Sequence, residues 1–232
     1  MAFSAKTDWL GLETKYSSSL KLRSNGQNAS NQVLQVPGSD GSILGDHLYG
    51  SVWSPNCEYA IVGAASISGL NLGEAYCSTS TKYAISKIHV ATGAGTEPTV
   101  TADGVQLEPS ASRAICVYPM DTINISPARH ALTFGAFSYT ESTDLTLQQA
   151  EFDAEANIAP ATINGDPVAT DATAGMETVT ATFWTNSDTS SPTVSVASDW
   201  HITSDWNCVG ADAQMFVWNA TFTKYLSASQ AT

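Results

Sequence analysis

The stretch Ala161–Trp184 reads "ATINGDPVATDATAGMETVTATFW", and its interpretation decides the fold. It opens on Asn164-Gly165-Asp166 and closes on Thr178, Thr180 and Thr182 alternating with Val179, Ala181 and Phe183. Asn-Gly is the leading signal for a two-residue hairpin turn. Alternation of apolar and polar residues is the period of a half-buried strand. A cation loop competes with this reading, because Asn164, Asp166 and Asp171 supply oxygen ligands, as do Asp40 and Asp46 around Gly41. An EF-hand needs D-x-[DN]-x-[DN]-G followed by a Glu, and neither stretch has that order. The hairpin reading is preferred, with solvated carboxylates and no metal.

The same pattern extends along the chain. "KYAISKIHVATG" (Lys82–Gly93) carries Tyr83 and Ile85, then Ile88 and Val90, two alternating runs with a change of phase. "RAICVYPM" (Arg113–Met120), "HALTFGAFSYT" (His130–Thr140), "METVTATFW" (Met176–Trp184), "PTVSVASDW" (Pro192–Trp200) and "AQMFVWNATFTKYL" (Ala213–Leu226) also read as strands. In the last of these, Phe216, Trp218, Ala220 and Phe222 share a face. "GAGTEPT", "TADG", "NGDP", "TAG" and "NSDTSSP" carry turn chemistry between them. Short strands at such spacing predict an all-β fold, a mainly antiparallel sandwich or barrel, over a single domain spanning 1–232.

Three segments need separate treatment. "DLTLQQAEFDAEANIAP" (Asp144–Pro160) puts Leu145 and Leu147 on one parity and Phe152, Ala154, Ala156 and Ile158 on the other. A β-bulge near Gln148–Ala150 reconciles the two, leaving Glu151, Asp153 and Glu155 facing outward. A helix over Leu145–Ala156 competes on propensity; the strand is preferred. "SPARHALTFG" (Ser126–Gly135) predicts one short flanking helix, with Ser126 as cap and Pro127 in its first turn. Ser24–Gly50 is rich in Gly, Ser, Asn and Asp and reads as a long N-terminal loop or arm, with a short strand around Val33–Val36.

Composition narrows the function. Of 232 residues, 43% are hydrophobic but only 13% are charged, about half the usual share. The net charge is −13, and between Asp121 and Glu177 nine acids face a single base, Arg129. Such a surface repels phosphate and disfavours gripping nucleic acid. "MAFSAKTDWLGLETKYSSSLKLRS" has no apolar signal region, and no stretch approaches the roughly 18 apolar residues of a membrane span. A protein made in the cytoplasm is expected, with no membrane partner. Cys57, Cys77, Cys116 and Cys208 form no C-x-x-C pair, and buried thiols are preferred over disulfides.

No catalytic or cofactor motif emerges. His47, His89, His130 and His201 are scattered, with no H-E-x-x-H and no G-x-S-x-G. Two carboxylates could serve a glycosidase, but nothing in the sequence pairs them, so no enzyme and no cofactor is expected. Trp200 and Trp206 in "SDWHITSDWNC" could stack on a sugar, although tryptophans in a sandwich more often belong to the core. A secreted or surface carbohydrate-binding or adhesive β-sandwich is therefore the alternative reading.

Taken in order, "QVLQVPGSDGSILGD" (Gln32–Asp46), "YAISKIHVATGAGTEPTVTADG" (Tyr83–Gly104), "PARHALTFG" (Pro127–Gly135), "LTLQQAEFDAEANI" (Leu145–Ile158), "NGDPVA" (Asn164–Ala169) and a closing "KYL" resemble the tail tube (major tail) proteins of tailed bacteriophages. The likeness lies in the order of elements from Gln32 to Leu226. It implies a virion structural protein, made in the host bacterial cytoplasm, that forms homo-oligomeric rings, commonly hexameric, stacked into a tube. Other phage tail proteins would be its partners, and DNA would pass the lumen without specific binding. On this likeness Glu151, Asp153 and Glu155 would face the lumen. Residues 24–50, with Val36, Asp40, Ile43, Leu44 and Asp46, would reach the next ring. Tail terminator and head decoration proteins remain open within the same class.

Overall fold

The structure is a computed structural model and describes residues 6–37, 43–107, 111–126, 131–134, 137–140, 145–163, 166–186, 196–212 and 215–230. Among the described residues a single helical turn, α1 (Leu12–Lys15), precedes fifteen strands. They are β1 (Leu20–Pro37), β2 (Ile43–Ile61), β3 (Ala65–Ile67), β4 (Asn71–Glu74), β5 (Tyr83–Gly93), β6 (Thr99–Gln106), β7 (Arg113–Pro119) and β8 (Ile123–Ile125). Then follow β9 (Ala131–Phe134), β10 (Phe137–Thr140), β11 (Leu145–Ile163), β12 (Asp166–Thr185), β13 (His201–Asp212), β14 (Met215–Tyr225) and β15 (Ser229–Gln230). The protein is all-β and antiparallel, as its alternations predict.

One eight-stranded sheet runs β1-β2-β6-β5-β11-β12-β14-β13. Two smaller sheets, β10-β9-β8-β3 and β15-β7-β4, pack on its inner face. Register explains the core. Tyr59, Val100, Val90, Phe152, Val179 and Phe222 stand opposite one another across six strands, each at most 1% exposed. Burying each such side chain contributes about 1.5–3 kcal/mol. From the opposing layer, Phe134 meets Phe152 with ring centroids 5.7 Å apart, and Tyr139 meets Phe183 at 4.8 Å. The Tyr139 hydroxyl donates to the Leu145 carbonyl (2.9 Å) and accepts from the Leu147 amide (3.0 Å), fixing where β11 enters the sheet.

Irregularities fall where the residue pattern changes phase. β5 holds one extra residue between Ile85 and Lys87, and β11 holds one between Leu147 and Gln149, the bulge expected there. β12 bulges opposite Glu155–Asn157, with Ala174 at φ 56°. That bulge moves burial from Thr170 and Ala172 to Gly175, Glu177 and Val179. "TAG" is thus the bulge of a continuous strand rather than a turn. "TADG" likewise lies inside β6, where Gly104 leaves room for the Leu10 side chain.

Other expectations need correction. Within Ser24–Gly50, residues 24–37 and 43–50 are strand rather than loop, because β1 and β2 pair from Ser24↔Glu58 to Pro37↔Ile43; residues 38–42 lie outside the described residues. Cross-strand pairs satisfy the inward backbone groups of such a two-stranded ribbon and water can serve the outward ones, so polar composition did not reveal it. "HALTFGAFSYT" is two paired strands, β9 and β10, with Phe134 opposite Phe137. Residues 196–200 are not strand; the Trp200 amide closes a turn onto the Ala197 carbonyl at 3.1 Å. Of the stretch Ser126–Gly135 in which a short helix is expected, Ala131–Phe134 is strand β9 and residues 127–130 lie outside the described residues, as does the turn Asn164-Gly165, although Ile163 stands opposite Asp166.

Candidate functional site

The outward face of the large sheet follows directly from alternation on β11. Phe152 and Ala154 point into the core, which turns Glu151, Asp153 and Glu155 together onto the opposite face. Their neighbours on β5 and β12 are Ala91 and Thr180, His89 and Thr178, and Lys87 and Met176. Asp153 Oδ1 lies 3.2 Å from Lys87 Nζ and 3.0 Å from His89 Nδ1, and Lys87 Nζ lies 3.7 Å from Glu155. Gln149 Nε2 donates to Glu151 Oε1 at 2.5 Å. Partial burial pulls the Lys87 ammonium pKa down. Its bond to Asp153 and the charges of Asp153, Glu155 and Asp103 outweigh this and hold it above the usual lysine value.

The three acids therefore share one face but are not bare. Lys87, His89 and Asp103 complete the row, and sequence reading missed all three. Lys87 and His89 occupy the outward parity of "YAISKIHVATG" after its phase change, which is the signal that places them. Thr178, Thr180, Thr221 and Thr223 continue the same face across β12 and β14. The result is a polar, weakly acidic sheet surface. Of the proposed arm residues, Val36 lies in β1, opposite Gly45, and Ile43, Leu44 and Asp46 lie in β2. Asp40 is outside the described residues, as are side chains 31–51.

A second cluster lies on the inner face, where parity with Val179 puts Glu177. Its register partners are Ala154 on β11 and Lys224 on β14. Glu177 is 0% exposed; Oε1 accepts the Asp121 amide at 2.7 Å, and Oε2 has no hydrogen-bond partner. Lys224 Nζ instead reaches Asp121 Oδ2 at 2.7 Å and Asp199 Oδ2 at 2.9 Å. Burial pushes the Glu177 carboxyl up to about 7, and the Asp121 charge adds to this against the Asp121 amide and Lys224.

Trp200 is 5% exposed and belongs to the core cluster, so its ring offers no face to a sugar; the Trp206 side chain lies outside the described residues. Cys57 and Cys77 are buried thiols, and burial pushes the Cys57 thiol up, whereas Cys116 is half-buried and Cys208 exposed, against the expectation of buried thiols. Among the described residues no three His, Cys, Asp or Glu side chains converge as a metal-ligand set, and no helix is long and apolar enough to cross a membrane. No protein-family model matches the chain, and no curated protein is similar to it.

Proposed function

We propose that the chain is a structural protein of a bacteriophage virion, a tail tube subunit that assembles into stacked rings around a DNA channel. The observation that carries this reading is the large sheet itself. One face holds the core, while the other is broad, polar and acidic along Glu151, Asp153 and Glu155. Among the described residues the sheet ends on β1 at one side and β13 at the other. Two different edges suit a head-to-tail contact between copies, which closes into a ring when the rotation per subunit allows. Joining edges in this way also hides strands that would otherwise template aggregation. The β1–β2 ribbon supplies the arm toward the next ring.

Lining a channel with such a face lets DNA slide. Carboxylates repel phosphate, and threonine hydroxyls keep the wall hydrated without offering it cations. Lys87 tempers this, because its ammonium sits between Asp153 and Glu155. Electron microscopy of the purified protein tests the assembly: rings or tubes of uniform diameter are expected, and a strictly monomeric particle at high concentration overturns it. Converting Glu151, Asp153 and Glu155 to Lys should leave assembly intact and slow DNA ejection. Unchanged ejection removes these residues from the channel wall.

A further inference from the structure

We propose that Glu177 is a proton-held latch: its carboxyl carries a proton in the folded protein, and losing that proton loosens the closure of Asp121 and Asp199 over β12 and β14. This goes beyond the tail tube reading and does not depend on it. The cluster joins four parts of the chain distant in sequence. Asp121 follows β7, Asp199 stands before β13, and Glu177 and Lys224 face each other on β12 and β14.

The geometry makes Glu177 the group that must stay neutral. The Lys224 ammonium bonds Asp121 and Asp199, and one Glu177 oxygen is buried with no donor. A carboxylate there would be desolvated, with one backbone amide as its hydrogen-bond donor and only the charge of Lys224, already bonded to Asp121 and Asp199, to offset the burial. With all three carboxyls ionised the cluster carries three negative charges against one positive, a net −2; a protonated Glu177 leaves −1. The charged groups facing it are Asp121 from the turn after β7 and Lys224 from β14, with Asp199 beyond Lys224 and His201 next to Asp199. From β11 it meets Ala154, and beside it the Tyr118 ring from β7 rests on Gly175.

The switch is one proton exchanged with water. In the closed state the proton lies on the carboxyl; when Asp121 and Asp199 lift away, Glu177 becomes hydrated and ionises at the ordinary carboxylate value. Closed and opened states therefore differ in proton affinity, and raising the pH favours opening. Two core anchors limit the motion, because Met120 donates to the Leu70 carbonyl at 2.9 Å and Trp200 is buried.

Native-state hydrogen exchange at the Asp121 amide, the donor to Glu177, reads the latch. After correction for intrinsic chemistry, its protection should fall about tenfold between pH 6 and pH 8 in the wild type. In Glu177→Gln, which keeps the acceptor and cannot ionise, protection should stay constant over that range. An equal fall in both proteins overturns the proposal. Should the variant fail to fold, carbon-13 titration of the wild-type Glu177 carboxyl decides. A midpoint close to neutrality supports the latch, and one at the ordinary carboxylate value overturns it.

Discussion

Lys87 on β5 and Asp153 on β11 meet across the outward face of the large sheet, with Nζ 3.2 Å from Oδ1. They are not directly opposite in register. Lys87 stands across from Glu155, so its ammonium leans one position along the strand and serves both acids. The row of acids thus carries its own counter-charge on the neighbouring strand.

Lys87→Met should lower stability by less than about 1 kcal/mol, because all three side chains are partly exposed and solvent screens them. Urea unfolding at low and high salt checks this, and the loss should shrink as salt rises.

Phe152 has the larger stake. It lies at the centre of the buried row and against the Phe134 ring, so Phe152→Ala should cost about 3–5 kcal/mol and leave both small sheets poorly seated. Denaturant titration gives the energy. Near-ultraviolet dichroism should lose its aromatic signal before far-ultraviolet dichroism loses the strands.

At the bulge of β12, Ala174 is held at φ 56° with its side chain exposed. A left-handed backbone costs an alanine about 1 kcal/mol, and glycine avoids that cost. Ala174→Gly should therefore raise the melting temperature slightly despite the greater freedom of glycine in the unfolded chain. A clear fall would mean that the strain resides elsewhere.

Gly11 behaves in the opposite way. Its φ is 73°, and a Cβ there would come within 2.5 Å of the Tyr76 carbonyl oxygen. Gly11→Ala should destabilise by about 2 kcal/mol or more through strain and displacement of the chain at Tyr76. Thermal unfolding should show it as a loss of several degrees.

The Glu177 carboxyl also predicts a sign for stability against pH. Its folded value of about 7 lies above the ordinary 4.5. Its contribution is therefore complete below the unfolded value and is lost as pH rises through the folded one. Across that window the group costs about 3 kcal/mol, and wild type minus Glu177→Gln isolates it from other titrations. Lys224→Met removes a favourable positive charge from the ionised form and should move the transition to higher pH.

Alternation made the fold legible in places and hid it in others. Val179, Ala181 and Phe183 are all buried, and the phase changes at Ile85–Ile88 and Leu147–Phe152 became bulges in β5 and β11. The outward set Glu151, Asp153 and Glu155 followed from the same parity. Extending that parity by one step would have put Glu177 inside with Val179, and likewise Lys224 with Phe222. Charged residues are seldom fully buried without partners, and Asp121 and Asp199 lie too far along the chain for a local pattern to reveal them. The ribbon of β1 and β2 escaped detection because Gly, Ser, Asn and Asp dominate its sequence and obscure the strand alternation.

Paired strands of this kind change length only in steps. The ribbon's pairing runs to Pro37↔Ile43, well past Asn56↔Asp103, the last pair that β2 makes with β6. Removing two residues from each strand shortens it by about 7 Å and keeps every remaining side chain on its original face, whereas removing one from each reverses the faces beyond the cut. Reach can thus be retuned in discrete steps while the core row from Tyr59 to Phe222 is left untouched.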